Sequence, residues 1–313
     1  MSSIKILQGN CLDRLRDLPE KSVNTCVTSP PYFGLRNYGI TDQLGMEETP
    51  DQFTENLVKL FREVRRVLRD DGTVWLNLGD SYCSINGYAR ASPEFQRKGR
   101  NNAPANNRSL SELHKANIKT KDLIGIPWRV AFALQADGWY LRQDIIWHKP
   151  NPMPESVQDR CTKAHEYIFL LSKSPKYYYD NEAIKEKVKQ DWGTRDRSSG
   201  KYHNEGTGLQ PHSGLEKSYE TKNKRSVWSV SPMPYKEAHF ATYPPELIKP
   251  CILAGCPEGG TVLDPFGGSG TTAQVSNNLN RNAILCELNP EYVEIAKGRL
   301  QESLGMFLNM EIL

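Results

Sequence analysis

Two short motifs, one near each end of the chain, contain residue types suited to chemistry on a base amino group. The first is Thr28-Ser29-Pro30-Pro31-Tyr32, which combines a hydroxyl, a rigid carbonyl-bearing turn and an aromatic ring. The second, Asp-Pro-Phe-Gly-Gly-Ser-Gly-Thr-Thr at 264–272, is a glycine-rich turn of the kind that seats a nucleoside cofactor. A chain with both motifs is expected to bring a base amino group to such a cofactor.

The first motif can activate an exocyclic amino group, which is a poor nucleophile while its nitrogen is conjugated with the ring. Acceptance of its hydrogens by Ser29 Oγ and the Pro30 carbonyl would pull the lone pair out of that conjugation. Proline fixes φ and so aims the carbonyl, while Tyr32 can stack on a base flipped from a duplex. Ser29, Pro30, Pro31 and Tyr32 are therefore candidate catalytic residues. A strand that simply ends in a Pro-Pro turn beside a buried tyrosine is the alternative.

The second motif follows an apolar strand and is followed by a well-placed acid. Residues 261–264 predict the strand, and Gly267, Gly268 and Gly270 supply the turn. About twenty residues further on, Glu287 ends the next predicted strand, where a carboxylate suits a ribose diol. No Gly-Lys-Ser/Thr follows the glycines, so the turn is not a P-loop.

Hydrophobic periodicity around the motifs indicates alternating strands and helices, typical of a parallel α/β sheet. Seven strands are predicted, at 4–9, 23–28, 73–79, 140–147, 167–171 (continuing to 177–179), 261–264 and 282–287. Helices are predicted at 51–69, 128–137, 245–254 and 290–303. Two polar segments interrupt this order, a basic insertion at 81–122 and a second stretch at 183–224.

Composition indicates a soluble globular protein with one large domain and inserted segments. Charged residues make up 25% of the 313 residues, and no apolar run is long enough to cross a membrane. No signal peptide is apparent. The seven cysteines are odd in number and lack a Cys-x-x-Cys pair, which indicates a reduced, cytoplasmic protein without a clustered metal site. Cys26, Cys251 and Cys286 are expected to be core residues.

The glycine-rich motif closely resembles the S-adenosylmethionine motif of DNA amino-methyltransferases, and Ser29–Tyr32 resembles their Asp/Asn/Ser-Pro-Pro-Tyr/Phe signature. The catalytic motif precedes the cofactor motif, as in the β class of that family. The resemblance implies a Rossmann-like methyltransferase fold with a mostly parallel seven-stranded sheet, helices on both faces and a circularly permuted motif order. The strand ending at Glu287 should then lie beside the N-terminal strand.

Residue roles follow from the same resemblance. It implies that the cofactor is bound by Asn10, Cys11, Thr28, His239, Thr242, Tyr243, Asp264, Phe266, Gly267, Gly268, Gly270 and Glu287. Asn10 stands at the position where relatives have an aspartate that contacts the adenine of the cofactor. The methyltransferase domain is expected at 1–182 and 225–313, with a target-recognition segment at 183–224. Arg97, Lys98, Arg100, Arg195, Arg197 and Lys201 are the candidate DNA-binding residues, because these segments are rich in cations that could neutralise phosphates.

The resemblance implies a site-specific methyltransferase acting on double-stranded DNA. Serine in the first position of the signature favours N4 of cytosine, with N6 of adenine as the alternative. An RNA or protein-amide methyltransferase and an inactive DNA-binding homologue are further alternatives. Pro250-Cys251 is the one Pro-Cys pair and lies in an apolar, helical run, which argues against a C5-cytosine enzyme. A cognate restriction endonuclease and a second copy of the chain remain open as partners.

Overall fold

A nine-stranded, mostly parallel sheet forms the centre of the protein. The computed structural model describes residues 2–35, 43–83, 117–188, 220–232, 243–304 and 309–313. Its strands in chain order are β1 (Ser3–Gln8), β2 (Val23–Thr28), β3 (Leu68–Leu78), β4 (Tyr140–His148), β5 (His165–Ser172), β6 (Glu186–Lys187), β7 (Thr221–Lys222), β8 (Val227–Ser229), β9 (Thr261–Asp264), β10 (Asn282–Glu287) and β11 (Asn309–Ile312). Strands β6 and β7 pair separately.

The strand order in the large sheet is β11-β1-β10-β9-β2-β3-β5-β4-β8. Neighbours run parallel except that β5 is antiparallel to both β3 and β4. The inner seven are the strands that the sequence predicts, and this confirms the fold class. The described sheet exceeds the predicted number because β8 and β11 add one short strand at each edge.

The chain termini meet as the permuted order requires. Strand β1 pairs in parallel with β10, with Leu7 opposite Cys286 and Gln8 opposite Glu287. The carboxyl ends of β1, β10, β9 and β2 therefore lie at one edge of the sheet, where ligands bind in open α/β folds. This is the edge that carries both motifs.

Helices cover both faces of the sheet. Successive strand residues point to opposite faces, so Cys26 and Val74 join one buried cluster while Val27 and Trp75 join another. The described helices are Cys11–Arg16, Pro50–Val67, Ile126–Ala136, Pro245–Gly255, Thr271–Asn278 and Pro290–Leu304, with a 3-10 turn at Glu182–Ile184. None of these helices is long and apolar enough to span a membrane. Cys26, Cys251 and Cys286 are buried core residues, as predicted.

Two predicted boundaries were wrong. The helix predicted to end at Asp70-Asp71-Gly72 ends at Val67, and β3 begins at once with Leu68. The register between β2 and β3 shifts there, from Val23–Leu68 to Thr25–Thr73, so a bulge accommodates the polar residues. The continuation of β5 to 177–179 is also absent from the structure, because β5 ends at Ser172 before a turn. Tyr179 instead stacks on Trp75.

Candidate active site

A cleft of about 330 Å³ opens at the carboxyl edge of the sheet. It lies where β1, β2, β9 and β10 end, and its lining joins the two motifs that are more than 230 residues apart in sequence. Its volume is at the lower end of the range typical of small-molecule sites. The motif residues that line it are Asn10, Cys11, Ser29, Pro30, Pro31, Tyr32, Tyr243, Phe266, Gly267, Gly268 and Glu287.

The glycine-rich turn connects β9 to helix Thr271–Asn278. Gly268 and Gly270 have φ of +50° and +80°, the left-handed region that favours glycine. Gly267 N–H donates to the Cys286 carbonyl (2.8 Å), which ties the turn to β10. A Cβ at Gly267 would lie 2.8 Å from Leu285 Cβ, so the close approach requires glycine there.

Glu287 is positioned by the same turn at the end of β10. Its two carboxylate oxygens accept hydrogen bonds from Gly268 N–H and Asn289 N–H, each at 2.8 Å. Each oxygen retains a second lone pair, so the carboxylate can still accept from a ligand's hydroxyls. Burial raises the pKa of Glu287 above its usual value, and the two backbone donors partly offset that effect. The acid is thus fixed in orientation and faces the cleft.

Asn10 and Cys11 line the cleft after β1, next to the end of β10, where Gly9 N–H donates to the Glu287 carbonyl (2.9 Å). Asn10 caps helix Cys11–Arg16, and its side-chain oxygen accepts from Leu12 N–H (2.9 Å). The amide therefore has a fixed orientation beside the cleft. Burial raises the pKa of the Cys11 thiol to about 12, so this thiol stays neutral and is not a nucleophile at neutral pH.

Asp264 and Thr28, both assigned to the cofactor by resemblance, lie behind the cleft rather than in its lining. Asp264 is buried and accepts from Thr28 Oγ1 (2.6 Å), Thr272 Oγ1 (2.5 Å), Tyr243 Oη (2.7 Å) and Phe266 N–H (3.1 Å). Burial raises its pKa. Through Thr28, the residue before Ser29, these contacts join the end of β2 to the glycine-rich turn. Gly270 likewise caps the following helix and does not line the cleft.

We expect Asp264→Ala to lower the free energy of unfolding by about 3 kcal/mol or more, since it leaves buried donors unpaired. Asp264→Asn should cost only about 1 kcal/mol. Its amide oxygen can still accept from Phe266 N–H, and its NH₂ can donate to the Tyr243 or Thr272 hydroxyl, each of which can also accept. Urea unfolding of the two variants measures the difference. Equal losses would contradict the network as the source of stability.

The Ser29–Tyr32 motif follows β2 and faces the cleft. Among the described residues the Ser29 hydroxyl and the Pro30 carbonyl have no hydrogen-bond partner, so both are available to a ligand. Tyr32 Oη donates to Glu166 Oε2 (2.5 Å) and lies 3.3 Å from Asn77 Oδ1. Two acceptors and an anchored ring therefore line the same cleft as the glycine-rich turn.

The sequence does not mark several of the residues that line the cleft. Helix Pro50–Val67 contributes Asn56, Lys59 and Leu60. Its periodicity identified the buried face of the helix, but nothing local marked which polar residues border that face. Gln43 and Leu44, from the loop before it, carry no motif.

Other predicted site residues lie outside the described residues. These are His239 and Thr242 of the cofactor set and all six DNA-binding candidates, Arg97, Lys98, Arg100, Arg195, Arg197 and Lys201. Within the described ranges no group of three or more His, Cys, Asp or Glu side chains could hold a metal ion.

Comparison with known proteins gives consistent matches over most of the chain. The DNA methylase family profile for N6 and N4 methyltransferases matches residues 23–298. The type II methyltransferase M.Cfr9I of Citrobacter freundii is 47% identical over 301 residues, which cover 96% of this chain and 89% of that protein. M.SmaI of Serratia marcescens is 45% identical over 300 residues, 96% of this chain and 91% of that protein.

Solved structures show the same fold at lower identity. The cytosine-N4-specific PvuII DNA methyltransferase superposes with a TM-score of 0.63 at 18% identity, covering 96% of this chain and 86% of that one. A putative DNA modification methylase from Thermus thermophilus, solved with S-adenosyl-L-methionine, gives 0.60 at 22% identity, with 99% of both chains covered.

Proposed function

Because the chain belongs to the N6/N4 DNA methylase family, we propose that it methylates the exocyclic N4 of cytosine at a specific site in duplex DNA. The family assignment confirms the resemblance found in the sequence and identifies an S-adenosylmethionine-dependent DNA methyltransferase. The observation that carries the proposal is the cleft, in which the Ser29 hydroxyl, without a partner among the described residues, stands beside the glycine-rich turn. The choice of cytosine rests on serine in the first position of the signature.

The polar groups of the cleft suit the methyl donor. Glu287 offers carboxylate lone pairs to ribose hydroxyls at one point, and Gly267 and Gly268 allow a ligand to approach the backbone. Asn10 and Cys11 border the position that relatives use for adenine. When bound, S-adenosylmethionine supplies a methyl group already activated on a positively charged sulfur.

The chain's own residues position the base for the reaction. Ser29 Oγ and the Pro30 carbonyl accept the two amino hydrogens of a flipped cytosine and turn its lone pair towards the methyl carbon. Tyr32 stacks on the ring. Methyl transfer from the sulfonium would leave a neutral thioether, and the proton that the amino nitrogen sheds would pass to solvent. Orientation of the reactants can supply a large part of the acceleration, so no strong base is needed to start the step.

We expect N4-methylcytosine in duplex DNA incubated with the protein and S-adenosylmethionine. Mass spectrometry of the digested nucleosides gives the answer, with a reaction that lacks S-adenosylmethionine as the control. N6-methyladenine without N4-methylcytosine would overturn the cytosine assignment but not the DNA methylase family. RNA and protein incubated in parallel with tritiated cofactor test the other substrate classes, and no transfer at all would indicate an inactive homologue.

The proposal extends to a restriction–modification role, since the relatives are named type II methyltransferases. Single-molecule sequencing of DNA from cells that express the protein would give the recognition site. A cognate endonuclease should cut that site only when it is unmethylated. Cleavage of fully methylated DNA at the same site would argue against this partner.

The basic insertion is proposed to bind DNA through phosphates. Residues 86–121 contain eight Lys or Arg against two acids, and each phosphate contact contributes about 0.9 to the log–log salt slope. We expect simultaneous neutralisation of Arg97, Lys98 and Arg100 to weaken binding to all sequences alike and to flatten the slope. Titrations at several salt concentrations measure it. An unchanged slope would remove these residues from the interface.

A further inference from the structure

A polar cluster behind Tyr32 is not used by the methyl-transfer step described above. Tyr32 Oη donates to Glu166 Oε2 at 2.5 Å, and Asn77 Nδ2 donates to the same oxygen at 3.3 Å. The other carboxylate oxygen of Glu166 pairs with Lys149 Nζ. The cluster thus runs from the Ser29–Tyr32 motif across β3 and β5 to the end of β4.

The strand pairing explains why these side chains meet. Glu166 lies opposite Trp147 in the antiparallel β4–β5 ladder. Trp147 is two residues before Lys149 in the chain. Asn77 also donates to the Tyr167 carbonyl (3.1 Å), which holds its amide in place. Lys149 and Glu166 expose only 21% and 13% of their side chains, and Lys149 Nζ lies 4.3 Å from the centre of the Trp147 ring. A largely buried pair with several contacts has a much better defined geometry than a surface ion pair.

The ring of Tyr32 is also confined at its edge. A Cβ placed on Gly79 would lie 2.4 Å from Tyr32 Cε2, so the ring packs against the backbone where β3 ends. The phenol hydroxyl and one ring edge are therefore fixed by two different parts of the sheet. An aromatic surface held in this way needs no rearrangement when a base arrives.

We propose that Glu166, held by Lys149, is a positioning residue that orients Tyr32 as the stacking surface for the flipped base. The inference rests on the proposed function, because it concerns where Tyr32 stands during methyl transfer. Glu166 acts through the tyrosine hydroxyl and touches neither the base nor the cofactor. Glu166 does not belong to the Ser29–Tyr32 motif, in which Ser29 and Pro30 act on the amino group directly.

The test is a double-variant cycle of Tyr32→Phe and Glu166→Ala. Each variant should lower the single-turnover methylation rate by about tenfold to a hundredfold, the size of effect that a small misplacement can cause. The Kd for S-adenosylmethionine should stay within about twofold of the wild-type value. The double variant should be no slower than the slower single variant, because both changes remove one interaction. Glu166→Gln keeps an acceptor for the hydroxyl but turns an NH₂ group towards Lys149 Nζ, so it should recover only part of the rate.

A second readout reports the stacking directly. With 2-aminopurine at the target position, the complexes of Tyr32→Phe and Glu166→Ala should fluoresce more strongly than the wild-type complex, because a poorly stacked flipped base is less quenched. Glu311→Ala is the matched control, since Glu311 pairs with Lys5 (3.1 Å) across the far edge of the same sheet. This control should change neither the rate nor the fluorescence.

The outcomes separate the two proposals. Suppose that the wild-type protein methylates DNA. An unchanged rate for Glu166→Ala, or effects that multiply in the double variant, would then overturn the positioning role alone. Absence of DNA methylation by the wild-type protein would overturn the proposed function and this inference with it. Tyr32→Phe keeps the ring and should fold normally, so the cycle remains informative if Glu166→Ala lowers stability.

Discussion

Ser29→Ala is expected to lose most methyl transfer while it retains cofactor binding. The hydroxyl borders the cleft and has no partner among the described residues, so its removal breaks no contact that holds the fold. What is lost is an acceptor aimed at the target amino group, whose interaction strengthens as the nitrogen attacks. Removal of one pre-organised group that acts on the transition state typically costs about a hundredfold to a thousandfold in rate.

Single-turnover methylation with saturating cofactor measures this loss, and calorimetry measures the cofactor Kd. Ser22→Ala provides a matched control at the other end of β2, where an exposed hydroxyl donates to the Pro19 carbonyl. The control should methylate at the wild-type rate. A near-normal rate for Ser29→Ala would remove Ser29 from the mechanism, and a lost cofactor affinity would move it to the cofactor site.

The sheet could be predicted from sequence because each inner strand carries its own local signal. Residues 261–264 and 282–287 are apolar runs with clear ends, and their boundaries agree with β9 and β10. The edge strands β8 and β11 have three and four residues, too few to show a period, and they lack the glycine-rich turn that marks the end of the equally short β9. The bulge at Asp70–Gly72 was missed because polar residues and a glycine there look the same at a helix end and in an irregular strand.

The sequence predicted the position of a site residue only where a motif indicates a chemical role for that residue. Ser29 and Glu287 stand at strand ends, so their place at the cleft follows from the parallel topology. Asp264 shows the limit of this reasoning. Its position in the motif predicts a cofactor contact, but the motif does not indicate that the side chain turns inward and accepts from three hydroxyls of the protein itself.

Glu166 and Lys149 show a different limit. They have no local pattern and reach Tyr32 only because β5 inserts antiparallel between β3 and β4. A single sequence gives the strands but not this pairing. Contacts between distant side chains therefore required the structure, even though every strand that carries them was predicted.

Glu287→Ala is expected to weaken S-adenosylmethionine binding by about ten- to a hundredfold, since hydrogen bonds to a charged group contribute about 1.5–3 kcal/mol. Glu287 also accepts from Gly268 N–H and Asn289 N–H, so a loss of affinity alone could come from a displaced turn. Cofactor analogues that lack the 2′- or 3′-hydroxyl separate the two causes. If Glu287 binds the ribose, the analogues should bind the wild-type protein weakly, and Glu287→Ala should not weaken their binding much further.

The pH dependence of cofactor affinity gives a second test of Glu287. A ribose hydroxyl donates more strongly to a carboxylate than to a carboxylic acid, so affinity should fall as the pH drops through the pKa of Glu287. Because burial raises that pKa, the fall should begin at a higher pH than an ordinary glutamate would give, and Glu287→Ala should lack it. Glu291→Ala, on the exposed side of the first turn of helix Pro290–Leu304, is the matched control and should bind as the wild type does. If the wild-type protein bound the natural cofactor and both deoxy analogues with equal affinity, Glu287 would not bind the ribose.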